Sequence, residues 1–203
     1  MRFPVFLGLV SASALISTNT LAQEYLASTQ QYSNNYSAGG VSLDNGIHYN
    51  YAEFRYVNTE IGNLDGDGFQ LGASYKLSSD IYVRVNYSDL DYDFNIDSET
   101  LEFTGGFIFP YKDIDVATEF SLIDAEFGRS DDTGWMLSLG GRKLLNQLFE
   151  ARVFLRHSDV LDNTDTTIEL GGDYYIQGNI AVGVTVNVGG DTDRLSLGGR
   201  YFF

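Results

Sequence analysis

From about residue 46 to its last residue the chain alternates apolar and polar side chains with a period of two, in ten successive segments. Such a segment, as a strand, carries one apolar and one polar face, and its backbone groups need partners along both edges. The first segment, about Tyr49 to Glu60, puts Ala52, Phe54 and Tyr56 on the apolar face, and the second, Gly68 to Leu77, puts Phe69, Leu71, Ala73, Tyr75 and Leu77 there. The ninth is the cleanest, with Ile180, Val182, Val184, Val186 and Val188. In the last, Leu195, Leu197, Gly199, Tyr201 and Phe203 share a face opposite Ser196, Gly198, Arg200 and Phe202. A final strand with an open edge needs a partner, and the economical one is the first strand of the same chain.

Within that last segment Ser196, Gly198, Tyr201 and Phe203 occupy the fixed places of a pattern reading polar, any, Gly, any, any, aromatic, any, Phe. This resembles the C-terminal signal of bacterial outer-membrane β-barrels, and the resemblance implies that the barrel-insertion machinery reads it during assembly. In overall pattern the chain is similar to the small outer-membrane barrel class that includes the OmpA-like transmembrane domains and the Ail-type adhesins.

The other end fits export. Arg2 precedes an apolar stretch from Phe3 to Ile16, and Thr20-Leu21-Ala22 offers a cleavage site, so residues 1–22 read as a signal peptide. Residues 23–45 are polar and aperiodic, a periplasmic N-terminal arm, and residues 46–203 are expected to form the barrel. With no cysteine, neither a disulfide framework nor a lipid anchor is available. Past the signal no apolar run approaches the length of a membrane-spanning helix. A closed barrel is then the remaining way to satisfy every backbone polar group in lipid. The net charge of −16 argues against a nucleic-acid partner.

The expected fold is therefore all-β: an antiparallel up-and-down transmembrane barrel of ten strands, with eight as the alternative because His48 and Asn50 disturb the first segment. Connections after the even strands are short: 78–80, 110–112, 144–147 and 177–179. The alternate connections read as longer and rich in Asp, Gly, Asn and Ser, as external loops are. Tyr75, Tyr82, Phe109, Tyr111, Phe149, Tyr174, Tyr201 and Phe203 fall near the periplasmic ends as an aromatic girdle. The expected location is the bacterial outer membrane.

The polar faces carry Glu53, Arg55, Lys76, Arg84, Glu102, Glu119, Arg142, Glu150, Arg152, Arg156, Glu169, Asp173 and Arg200. So balanced a mixture suits a lumen filled by ion pairs, because an unpaired charge in a narrow barrel is costly and a barrel of about eight strands is just wide enough for side chains to fill. Arg129 and Arg194 read as loop residues. The remaining carboxylates, among them Asp65, Asp67, Asp89, Asp91, Asp97, Glu99, Asp124, Glu126, Asp131, Asp132, Asp159, Asp162, Asp165, Asp191 and Asp193, fall at external loops or their margins. Lipopolysaccharide is the expected partner there, with divalent cations as a possible bridge; solvated, turn-forming loops are the plainer reading. Asp65-Gly66-Asp67-Gly68 begins like a calcium loop but lacks the downstream bidentate Glu, so it reads as a turn, and no metal or cofactor is assigned.

His157, Ser158 and Asp159 are the one grouping with catalytic atoms. Adjacent strand residues face opposite sides, and the order matches neither the Asp and His of omptin-type barrel proteases nor the His, Ser and Glu of barrel lipid A deacylases. No catalytic residue is assigned. The expected role is structural or surface-interacting through short acidic loops; a narrow pore for small solutes or ions is the alternative, and a rim hydrolase a distant third.

Overall fold

The computed structural model describes residues 45–203, apart from 63, 95, 162, 178 and 191. The expected signal peptide, all but the last residue of the expected arm, and the positions Asp162 and Asp191 lie outside the described residues.

Ten strands follow one another: β1 (Tyr51–Ile61), β2 (Leu64–Lys76), β3 (Ile81–Tyr92), β4 (Ile96–Tyr111), β5 (Ile114–Phe127), β6 (Ser130–Asn146), β7 (Phe149–Val160), β8 (Asn163–Gln177), β9 (Ile180–Val188) and β10 (Thr192–Phe202). Each pairs antiparallel with its neighbours in sequence, and β1 pairs with β10 from Tyr51↔Phe202 to Ile61↔Thr192, so the sheet closes into a barrel. Closure removes both sheet edges. The register slips only near the terminal end, between Leu144 and Asn146 and between Tyr175 and Gln177, where bulges let the strands bend into their turns.

The outward faces carry an exposed apolar belt: Leu197 is 63% exposed, Phe54 55% and Leu139 55%, with Ile176, Leu71 and Val182 also open. The inward faces are buried, largely charged in the middle of the barrel and apolar toward its ends. A closed ring of strands that is greasy outside and charged inside is a solute of lipid, and its thirty-odd exposed apolar side chains would be an aggregation surface in water. The protein is an integral, multi-pass outer-membrane β-barrel. The end bearing β1's start and β10's finish, ringed by Tyr75, Phe109, Tyr111, Phe149, Tyr174, Tyr201 and Phe203, faces the periplasm in barrels of this kind.

Three features differ from the sequence reading. Tyr82 does not join the outer girdle; it is buried inside the barrel at 2% exposure, because it precedes the inward Arg84 by two residues. The alternate connections are no longer than the others, since β1–β2 and β5–β6 are joined through 62–63 and 128–129. Residues read as loop continue the ladders instead, with Asp67 opposite Asp91, Asp91 opposite Asp97, and Glu99 opposite Glu126. The third difference explains the second: at this external end the polarity of the strands inverts. Asp91, Glu99, Asp124 and Glu126 point outward and are exposed, while Leu90, Tyr92, Ile123 and Ala125 point inward and are buried. Beyond the lipid the outer face meets water, so the strands there have the polarity of a soluble barrel, polar outside and apolar within.

Candidate functional site

The lumen has three levels. At the periplasmic mouth the chain ahead of β1 turns inward, and Ile47 and Tyr49 pack with Tyr82 and Ile108. Tyr51, Tyr175, Ala181 and Phe202 form a second cluster beside it, and Leu144 packs against both. Polar contacts hold the inturned segment. The Tyr49 hydroxyl donates to Asp115 Oδ2 at 3.1 Å, Asn45 Nδ2 donates to Asp115 Oδ1 at 2.7 Å, and Arg142 donates to the His48 carbonyl at 3.2 Å. The Arg142 guanidinium also lies over the Tyr49 ring, 4.3 Å from its centre, and the Lys76 ammonium lies 5.5 Å from the same ring.

The middle level is ionic. Glu53 stands directly opposite Arg200 across the β1–β10 seam and accepts from Arg200 Nε at 2.9 Å and from Arg55 Nε at 3.1 Å. Asp173 accepts from Arg200 at 3.0 Å and from Arg152, and lies 3.6 Å from Arg55. Arg152 continues the chain to Glu169 at 3.1 Å, and Glu169 meets Arg156 at 2.7 Å. On the far wall Arg84 grips both oxygens of Glu119 at 3.0 and 3.1 Å and reaches Glu102 at 3.5 Å. Glu119 also accepts from the Tyr82 hydroxyl, and Glu102 from Thr104 at 2.6 Å and Ser121 at 2.9 Å. Arg142 donates to Glu150 at 2.8 Å, whose other oxygen accepts from Tyr175 at 2.7 Å. Arginine suits this work because its planar fork can serve two carboxylates at once.

Room for such long side chains comes from glycine on the same inward faces. A Cβ at Gly183 would lie 2.0 Å from Asp173 Oδ1, one at Gly171 2.5 Å from Arg152 Nε, and one at Gly106 2.3 Å from the Tyr82 ring. All thirteen charged residues singled out on the inward faces lie in the strands with this inward parity. The sequence reading misses several charges of inward parity. Asp115 lies two residues before Ala117 and four before Glu119, and Arg194, read as a loop residue, lies in β10 six before Arg200. Asp132 in β6 and Asp165 in β8, also read as loop residues, have the parity of Arg142 and Glu169. Counting by twos from a known inward residue reaches all four.

The external level is a cavity of about 310 Å³ that runs from Tyr51 and Arg200 to Ile61, Phe127 and Leu161 at the rim. Its upper walls are Leu90 and Tyr92, which pack with Val57, and Ile123 and Ala125, which pack with Met136. Tyr92 is therefore a wall residue, whereas Phe94, 84% exposed in the β3–β4 turn, is a loop residue.

His157 points outward. Its Nδ1 is 2.8 Å from Thr166 Oγ1 and its ring lies edge-on to Trp135, 5.8 Å between centres, while Ser158 faces the lumen. The two do not converge on one reacting atom. His48 packs its ring 5.7 Å from Phe202. Among the described residues no group of three or more His, Asp or Glu side chains could hold a metal ion. At the periplasmic turns Lys143 donates to Asp113 at 2.6 Å, and that hydrogen bond holds the Asp113 carboxyl below the usual aspartate range.

Ser196 and Gly198 of the C-terminal pattern face inward, and Tyr201 and Phe203 face lipid. Gly198 sits where a Cβ would meet the Phe54 carbonyl oxygen at 2.0 Å, so the β1–β10 seam requires glycine there.

No protein-family model matches the sequence, and no curated protein matches it. Among solved structures the chain is similar to the KdgM porin in complex with disordered oligogalacturonate, at 13% identity over 75% of this chain and 99% of that one, with a TM-score of 0.47. It is similar to the COG4313 outer membrane channel from Pseudomonas putida F1 at 8% identity over 84% and 98% of the two chains, TM-score 0.49. Neisserial surface protein A is similar at 14% identity over 76% and 96%, TM-score 0.41.

Proposed function

We propose that this protein is a non-enzymatic outer-membrane barrel, closed toward the periplasm and open to the outside, whose role is exercised at its external end. The observation that carries this reading is the contrast between the two mouths. The periplasmic mouth is filled by Ile47, Tyr49, Tyr82 and Ile108, all at 6% exposure or less, whereas the cavity reaches the external rim. The ion-paired side chains that line its deeper part narrow the lumen, since a wide aqueous channel takes many more strands. Lipopolysaccharide around the acidic outer face and the insertion machinery at the C-terminal pattern belong to the same reading.

The absence of native cysteine makes a direct test simple. A membrane-impermeant maleimide applied to intact cells is expected to label Thr100→Cys, on the cavity wall, and to leave Ala181→Cys, packed within the seal beside Tyr51 and Phe202, unmodified. Equal labelling of both would contradict a closed periplasmic mouth.

One observation favours a second reading, a gated narrow pore. Part of the seal is made by residues 45–50, which precede the barrel's strands and are held mainly by side-chain contacts, so displacing them would widen the mouth without breaking a ladder.

A further inference from the structure

The cavity is amphiphilic in a definite direction. Its deeper walls carry more guanidinium than carboxylate, and one of those guanidiniums has no carboxylate partner. Arg194 donates to the Gln70 amide oxygen at 2.8 Å, and no ion pair to an Asp or Glu involves it among the described residues. Arg156 lines the same cavity. Although Arg156 shares Glu169 with Arg152, its Nε is buried with no hydrogen-bond acceptor in the protein. A buried donor without an acceptor costs free energy. An oxyanion in this part of the cavity would give Arg156 Nε an acceptor and Arg194 a counter-charge. Immediately above, toward the rim, the cavity is lined by Leu90, Tyr92, Ile123, Phe127 and Leu161, which belong to two packed apolar clusters.

We infer that the external half of the lumen is a binding site for a small monoanionic amphiphile, whose carboxylate or phosphate head is held by Arg194 and Arg156 and whose hydrocarbon part lies against the apolar walls at the rim. The inference rests on the outward-open lumen proposed above and names what that lumen accepts. A bare inorganic anion would satisfy the guanidiniums but leave the apolar walls wet. A neutral hydrocarbon would do the reverse, and only a molecule with both parts, in this order, matches the cavity from floor to rim. Entry is from the outside, because the periplasmic mouth is filled. No chemistry is performed on the ligand.

The test uses the refolded full barrel in nonionic detergent, its folding verified by heat-modifiable migration on a gel, and octanoate labelled at its carboxyl carbon as the NMR probe. Saturable octanoate binding is expected, with acetate and octylammonium both much weaker; this comparison needs no variant. Arg194→Gln, which strands no buried carboxylate, is expected to weaken octanoate by about tenfold or more, the loss of one charge-assisted hydrogen-bonding partner, and Arg194→Lys to weaken it less. Octyl phosphate run in parallel distinguishes the sources: tighter octanoate points to free fatty acids, tighter octyl phosphate to phosphate-bearing lipid fragments. The inference is overturned if a folded barrel binds neither amphiphile saturably, if acetate or octylammonium binds as well as octanoate, or if Arg194→Gln binds octanoate unchanged. Maleimide labelling of the two cysteine variants reports the closed mouth separately, so a failure here with that labelling intact removes the ligand and leaves the outward-open barrel standing.

Discussion

Asp173 shows how the interior is organised at the scale of single residues. It lies at 1% exposure among Arg55, Arg152 and Arg200, which come from three different strands. Buried ion pairs add little net stability compared with a well-packed apolar core, but breaking one strands a charge where water cannot reach it. Asp173→Ala is therefore expected to destabilise the barrel by about 3–5 kcal/mol, measured by urea unfolding in lipid vesicles, with the midpoint moving and the barrel still closing when it folds. Glycine has the complementary role of leaving space. At Gly106 an added methyl would overlap the Tyr82 ring, which is held between the Glu119 carboxylate and the Tyr49 ring. Gly106→Ala is expected to cost about 1–3 kcal/mol in the same assay, the range for overpacking a filled interior.

At the scale of elements, the alternation of the strands was legible because lipid demands an apolar side chain at every second position. Val182, Val184 and Val186 on β9, or Leu195 and Leu197 on β10, leave no other register. The inward charges followed from the same parity. What was not legible was the place where the solvent outside the barrel changes. Tyr92, Asp91, Ile123 and Asp124 keep the period of two but exchange the roles of its two faces, and a stretch rich in Asp and Gly then reads as loop. Arg194 was lost for that reason, lying beside Asp193 and a glycine-rich turn. Asp115 was lost beside a periplasmic turn, although its partner Tyr49 marks it as part of the seal. The segment ahead of β1 is the element whose role sequence could least supply, because Ile47, Tyr49 and Tyr51 have the parity of an inward strand face and only the fold shows that the first two fill the mouth. If they close it, the double variant Ile47→Ala and Tyr49→Ala is expected to pass current in a planar bilayer in discrete steps while keeping heat-modifiable migration. Behaviour identical to the parent chain would assign the barrier to the ion pairs instead.

At the scale of the whole molecule, three levels stack along one axis: an aromatic and aliphatic seal, a belt of paired charges, and an outward cup with apolar walls. The outer surface follows its own sequence along the same axis, aromatic near the periplasm, aliphatic through the lipid, acidic outside. On the function proposed above, a barrel of ten strands with its interior so occupied stays closed on one side, and its role lies at the other. The measurement that tests this most directly is planar-bilayer conductance of the refolded, unsubstituted barrel, with folding confirmed by heat-modifiable migration. A silent bilayer is predicted, since Ile47, Tyr49, Tyr82 and Ile108 are buried together in the proposed seal. Discrete conductance steps from the parent chain would contradict the account and make Arg84, Arg142, Arg152 and Glu150 the lining of a solute pathway.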